Sequence, residues 1–256
     1  MSISIFPISA FEDNYIWFLH DQDSCVVVDP GDATPVLAYC QQHQLSLVGI
    51  LITHHHWDHT GGIDALLDVF SDIPVFGPNN PKITQITHAL SQGDEIVLPV
   101  LGNQFSVIEV PGHTLDHIAY YGELGLFCGD TLFSAGCGRL FEGTPEQMYQ
   151  SLAKLTALPD ETAVYCTHEY TLANISFALA VEPNNQDLQK FQGWAKGQRE
   201  NSKPTLPSSI QRELTVNPFL RCHSVELVNN VSQNKAQSLS SEQAVFAALR
   251  KWKDNF

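Results

Sequence analysis

The sequence predicts an α+β chain: sheets covered by helices over the first two-thirds, then a helical C-terminal domain. Three observations carry this. Ten short runs rich in Val, Ile and aromatic residues, ended by Gly, Pro or Asp, all lie before residue 170. Helical periodicity separates only some of them. Beyond His168 the strand signal almost vanishes. With 256 residues, 43% apolar and 16% charged, the chain has material for a core and is not disordered. No apolar run reaches the ~18 residues of a membrane helix.

In chain order, the predicted strands begin with ISIFPI (3–8), YIWFL (15–19) and CVVVD (25–29). A helix over 35–44 leads to VGILIT (48–53), and a second over 61–70 leads to IPVFG (73–77). EIVLPV (95–100), FSVIEV (105–110), IAYY (118–121) and LGLFCGD (124–130) follow without intervening helices. Thr144-Pro145 opens a helix over 145–158, ahead of AVYCTH (163–168). The remaining helices are expected at 171–183, 185–200 and 241–254, the last capped by Ser240 or Ser241 with Glu242 in its first turn. The polar segment 201–239, with Pro204, Pro207 and Pro218, reads mainly as loops. The expected division is therefore 1–170 and 171–256.

The net charge is −15, which argues against a duplex-binding face. Its distribution is uneven: ten of the 13 basic residues lie in 190–256, beside five of the 28 acidic ones. A basic last quarter on an acidic body points to reception of an anion, with a solvated helical surface as the alternative. None of the six cysteines pair as C-x-x-C, and several sit inside apolar runs. Buried free thiols in a reducing compartment are expected, and with them a cytoplasmic location. The N-terminal stretch has no basic lead and carries Glu12 and Asp13, unlike a secretory signal.

Chemistry concentrates in Thr53-His54-His55-His56-Trp57-Asp58-His59, directly after the apolar strand VGILI. In extended backbone, side chains at i and i+2 point the same way, so His54 and His56 can hold one ion while His55 points away. A turn then lets Asp58 and His59 reach a second ion. A His-rich helix cap is the alternative, but it would leave several buried imidazole nitrogens seeking partners. The pattern of strand, turn and metal-capable side chain recurs at His113, Asp130 and His168. A carboxylate has two oxygens, so Asp130 is the bridging candidate. Neutral imidazoles and carboxylates suit zinc and, less selectively, iron or manganese. His117 is expected to support or cap. Trp57 is expected to pack, and His20, His43, His88 and His223 receive no role.

These residues, in this order, resemble the metallo-β-lactamase superfamily, whose signature is H-x-H-x-D-H followed by later His, Asp and His ligands. The resemblance covers about residues 1–170 and implies an αββα sandwich. It also implies a metal set of His54, His56, Asp58, His59, His113, Asp130 and His168 around two divalent ions, zinc first, with iron or manganese as alternatives. A closer resemblance, to the glyoxalase II (hydroxyacylglutathione hydrolase) family, spans nearly the whole chain. It rests on Thr53–Gly62, Ala135-Gly136-Cys137-Gly138-Arg139, Thr167-His168-Glu169-Tyr170-Thr171, Asn217-Pro218-Phe219-Leu220-Arg221 and the C-terminal Arg250-Lys251-x-Lys253.

That family's pattern implies glutathione contacts from Arg139, Tyr170, Arg250 and Lys253, the basic members meeting carboxylates. It implies hydrolysis of S-D-lactoylglutathione to D-lactate and glutathione by a hydroxide shared between the ions, with Asp58 as the catalytic carboxylate. The implied partner is a small-molecule glutathione thioester, with no nucleic acid and no membrane, on a monomer. Two positions depart from the pattern: Phe141, where some members carry Tyr, and Asp116, where superfamily members often carry Gly. The rivals are a lactonase or another hydrolase on this scaffold, a single-iron glutathione persulfide dioxygenase, and a non-catalytic metal binder.

Overall fold

A computed structural model describes residues 3–98, 100–236 and 238–256. The chain divides into two units: the residues up to Glu109 with Asp116–Gly129, and Val110–Leu115 with Asp130–Phe256.

The first unit opens on β1 (Ser4–Ala10), β2 (Asn14–His20) and β3 (Ser24–Val28), paired antiparallel in that order. α1 (Ala33–His43) then carries the chain across to β4 (Ser46–Leu51), which lies parallel to β3. α2 (Trp57–Thr60) and α3 (Ile63–Val69) lead to β5 (Val75–Pro78), and β6 (His88–Leu90) closes this six-stranded sheet. The parallel pairs require such crossovers, and the helices cover the sheet they cross. Phe18, Val27, Val36, Ile50, Ile63 and Leu66 meet in one apolar cluster between sheet and helices. Asp32 starts α1 by accepting a hydrogen bond from the Thr34 amide, and Gln44 ends it in the left-handed region at φ 56°.

Four further strands form an antiparallel run: β7 (Glu95–Val97), β8 (Gln104–Glu109), β9 (Ile118–Gly122) and β10 (Gly125–Gly129). The Tyr120 hydroxyl donates to the Ile52 carbonyl at 2.8 Å, and the Ile118 amide to the Thr53 carbonyl at 2.9 Å. These bonds tie β9 to the chain just beyond β4. The strand expected over 95–100 includes Pro99, which lies outside the described residues; β7 itself ends at Val97.

The second unit holds the short pair β11 (Leu132–Phe133) and β12 (Gly136–Cys137), then α4 (Pro145–Thr156). Thr144 and Gln147 cap α4 reciprocally, worth about 1 kcal/mol, and Met148, Leu152 and Leu155 form its buried stripe. β13 (Ala163–Cys166) precedes α5 (Thr171–Val181) and α6 (Gln186–Glu200). β14 (Ser208–Ser209), which pairs antiparallel with β13, leads into α7 (Ile210–Val216), a 3-10 turn (Pro218–Leu220) and α8 (Val225–Lys235). α9 (Glu242–Lys253) begins at Ser241, whose side chain accepts from the Ala244 amide.

The expectation of loops over 201–239 is therefore corrected. Only a few apolar side chains, such as Ile210 and Val216 in α7 or Leu227 and Val231 in α8, reach the interior. Their stripe is too thin to stand out from the polar residues around it, and the Ser209 side chain supplies the helix start by capping α7. Among the described residues no helix is long and apolar enough to cross a membrane. All six cysteines are free and buried.

Candidate metal centre

In the first unit the site grows from the C-terminal ends of two parallel strands. β3 ends at Val28, just before Asp29, which lies in the left-handed region at φ 54°; β4 ends at Leu51, three residues before His54. Asp29 Oδ1 accepts from the Thr53 amide and Oδ2 from the Thr53 hydroxyl, both at 2.8 Å. The hydroxyl proton is thus spent on Asp29, so Thr53 Oγ1 accepts from His54 Nδ1 at 3.1 Å. That fixes the His54 tautomer and leaves Nε2 with its lone pair. His59 Nδ1 lies 3.0 Å from Asp29 Oδ2, an ion-pair contact rather than an aligned hydrogen bond.

His54 Nε2 lies 3.1 Å from His56 Nδ1, and His59 Nε2 lies 3.6 Å from Asp58 Oδ2. Two donors on one tetrahedral zinc at ~2.0–2.1 Å stand roughly 3.3 Å apart, so these spacings fit ligands sharing a cation. Asn14 Nδ2 donates to Asp58 Oδ2 at 3.0 Å. The backbone passes Asp58 closely: a Cβ on Gly31 would sit 1.9 Å from the Asp58 carbonyl oxygen. Gly129, at φ 47°, leaves no room for a Cβ either, which would lie 2.3 Å from Thr53 Oγ1.

His117 stacks on His54, ring centroids 4.6 Å apart. Trp57, expected to pack, is instead 67% exposed and meets Phe11 edge-on at 4.9 Å. It starts the single turn α2, whose one buried residue is His59.

In the second unit His113 Nδ1 donates to the Arg139 carbonyl at 2.8 Å, so Nε2 carries the ring's lone pair. Asp130 Oδ2 lies 3.4 Å from His113 Nε2 and 3.3 Å from His168 Nε2. One carboxylate oxygen thus stands at ligand spacing from two imidazoles. Gly138 permits this turn, since a Cβ there would sit 1.9 Å from the Asp130 carbonyl oxygen. Tyr170 stacks on His168 at 4.7 Å with the rings 3° from parallel, and Phe133 packs edge-on to both.

Each of the seven candidate ligands belongs to a group of three His or Asp side chains that could hold a metal ion. Burying so many donors is costly unless a cation gathers them.

The four residues expected to meet glutathione are placed differently from one another. The exposed Arg139 lays its guanidinium over Phe141, 5.5 Å from the centroid. Arg250 is buried; its Nη1 donates to the Cys137 carbonyl at 2.9 Å and its Nη2 to Asp254 Oδ1 at 2.9 Å. Lys253 Nζ reaches the Ala173 carbonyl at 3.4 Å and lies 5.0 Å over Phe177. Burial, with the Arg250 charge nearby, lowers the Lys253 ammonium to about 8. Asn14 and Asp29 are the two residues that sequence reasoning missed. Asp29 ends CVVVD with a strand-then-acid signal like that of Asp130; Asn14, the first residue of β2, gave none.

The family described as "Hydroxyacylglutathione hydrolase C-terminus" matches residues 169–256, and that described as "Metallo-beta-lactamase superfamily" matches 11–168. Hydroxyacylglutathione hydrolase of Nitrosomonas eutropha is 53% identical over 254 residues, covering 99% of both chains. That of Aliivibrio salmonicida is 55% identical over 250 residues, covering 97% of this chain and 98% of its own. Among solved structures, ETHE1 from Myxococcus xanthus superposes with a TM-score of 0.65 at 25% identity, over 99% of this chain and 98% of its own. The chain therefore belongs to the metallo-β-lactamase superfamily and, within it, to the hydroxyacylglutathione hydrolases.

Proposed function

We propose that this enzyme hydrolyses S-D-lactoylglutathione and related 2-hydroxyacylglutathiones to the hydroxy acid and glutathione, the second step of methylglyoxal detoxification. Full-length identity above 50% to hydroxyacylglutathione hydrolases supports the substrate class. The observation that carries the chemistry is the fixing of tautomers: His54 and His113 each spend Nδ1 on a protein acceptor and keep Nε2 for a cation, while Asp29 stands 3.0 Å from His59 Nδ1.

His54, His56 and His113 would hold one divalent ion and Asp58, His59 and His168 a second, with Asp130 shared; zinc is preferred, iron and manganese being the alternatives. When bound, the two ions would acidify a water and polarise the thioester carbonyl. Asp58, held by Asn14, would ligate and accept a hydrogen bond that aims the attacking water at the carbonyl carbon. The glutathione thiolate is a stable enough anion to leave without a strong general acid, so no residue is assigned that task. Arg139, Tyr170, Arg250 and Lys253 would orient the glutathione moiety, converting part of the barrier into prior binding. Arg250 would contribute by fixing the turn at Cys137 as well as by its charge.

In this reading residues 1–170 form the catalytic domain and 171–256 the glutathione-binding domain, in a cytoplasmic monomer that needs neither nucleic acid nor membrane. The test is hydrolysis of lactoylglutathione against a simple alkyl thioester, with metal content measured on the same sample. Selectivity for the glutathione thioester at two metals per chain is expected. Equal rates on both, or a preference for lactones, would reassign the enzyme within its fold.

A further inference from the structure

His55 is the one imidazole of the 54–59 loop that the proposed metal set does not use, and it is nonetheless tightly held. Lys82 Nζ lies 2.9 Å from His55 Nε2. An ammonium can only donate, so Nε2 accepts and the ring proton sits on Nδ1. Nδ1 then donates to Asp116 Oδ1 at 2.9 Å. The other oxygen, Asp116 Oδ2, accepts from Asn80 Nδ2 at 2.6 Å. Asn80 Oδ1 in turn accepts from the Lys82 backbone amide at 2.9 Å, which closes the ring. Every named donor and acceptor of the four residues is matched in sense, and the His55 and Asp116 side chains are only 10% and 11% exposed.

The two residues after Asp116 act on the same loop. His117 stacks on His54, and the Ile118 amide donates to the Thr53 carbonyl at 2.9 Å. Residues 116, 117 and 118 thus grip residues 55, 54 and 53 one by one. Fixing His55 between His54 and His56 fixes the backbone that spaces their donor nitrogens. We propose that Asp116 is a positioning residue for the metal loop, acting through His55 with Lys82 and Asn80 as co-anchors. The proposal rests on the metal-binding reading above.

The test is competition for Zn2+ between folded apoprotein and a chromophoric chelator, with a cobalt absorption spectrum as a second readout. Asp116→Ala is expected to bind Zn2+ about 10–100-fold more weakly and to alter the cobalt spectrum. Asp116→Asn keeps an acceptor for His55 and is expected to restore affinity to within about threefold. Lys82→Met, at an exposed position, should weaken Zn2+ by roughly threefold or more, and should add nothing on top of Asp116→Ala because both act through His55. In turnover kcat should fall while KM stays near wild type. Unchanged Zn2+ affinity in both Asp116→Ala and Lys82→Met, whatever their thermal stability, overturns the proposal. Should Asp116→Ala not fold, unchanged affinity in Lys82→Met overturns it alone. Wild-type protein that binds no Zn2+ would instead sink the metal reading itself.

Discussion

Asp29 Oδ2 lies 3.0 Å from His59 Nδ1, while the same carboxylate accepts both the amide and the hydroxyl of Thr53. One side chain at the end of β3 therefore ties down both ends of the 53–59 loop. It sets the His54 tautomer through the Thr53 hydroxyl and faces the His59 ring with a carboxylate oxygen.

Asp29→Asn tests that relationship. The amide nitrogen must replace one carboxylate oxygen. Facing His59, it would force the ring proton onto Nε2 and remove the lone pair meant for a cation. Zinc affinity is expected to fall about 10–100-fold, measured as metal per chain after dialysis against a chelator. Full retention would show that His59 is not oriented this way.

Asn14→Ala removes the donor on Asp58 Oδ2. Asp58 would keep its charge but lose its fixed angle. If Asp58 aims the attacking water, kcat for lactoylglutathione should fall roughly tenfold with KM little changed. Steady-state kinetics at matched metal content decide this, and an equal loss in KM alone would assign Asn14 to substrate binding.

How much of this was legible beforehand differs residue by residue. His54, His56, Asp58 and His59 announce themselves because local backbone geometry and spacing suffice to bring them together. The candidates His113, Asp130 and His168 could be found by repeating the strand-turn-ligand pattern. Asn14 could not, since its bond to Asp58 spans 44 residues and an asparagine beside a turn has many local uses. Arg250 is expected from the family pattern to meet a glutathione carboxylate, and its guanidinium lies over Phe219 at 5.1 Å, buried against Cys137. Charge counts do not report burial. The helices α7 and α8 were hidden for the related reason that packing, not periodicity, sustains them.

Glu213 makes a stability prediction. It is fully buried on α7, where Oε2 accepts from the Ala135 amide at 2.8 Å and from Asn217 Nδ2 at 3.0 Å, and Oε1 from the Ser208 hydroxyl. Burial outweighs these bonds and raises its pKa. A carboxyl raised in the folded state costs nothing below the unfolded value of ~4.3, and its ionisation penalty grows as pH climbs from there through the folded pKa. Glu213→Gln removes the titration and should flatten that slope in denaturant melts. Glu213→Ala strands several buried donors and should cost about 3 kcal/mol. Identical pH slopes in wild type and Glu213→Gln would show that Glu213 does not titrate in this range.

Lys253 provides the sharpest pH test of the glutathione assignment. Its ammonium is lowered to about 8, first by burial and then by Arg250. For the fold alone, the charged form is penalised below that value, and the penalty fades between about 8 and the unfolded ~10.4. For binding the sign reverses: an anionic carboxylate needs the charged form, which becomes scarce above pH 8. KM for lactoylglutathione should therefore rise above pH 8, approaching ~tenfold per pH unit, with proton uptake on binding. Lys253→Arg keeps its charge throughout and should abolish the rise. Lys253→Met should show a high KM that no longer varies with pH. A wild-type KM that stays level from pH 7 to 9 would remove Lys253 from the anion site and leave its burial against Phe177 a matter of packing.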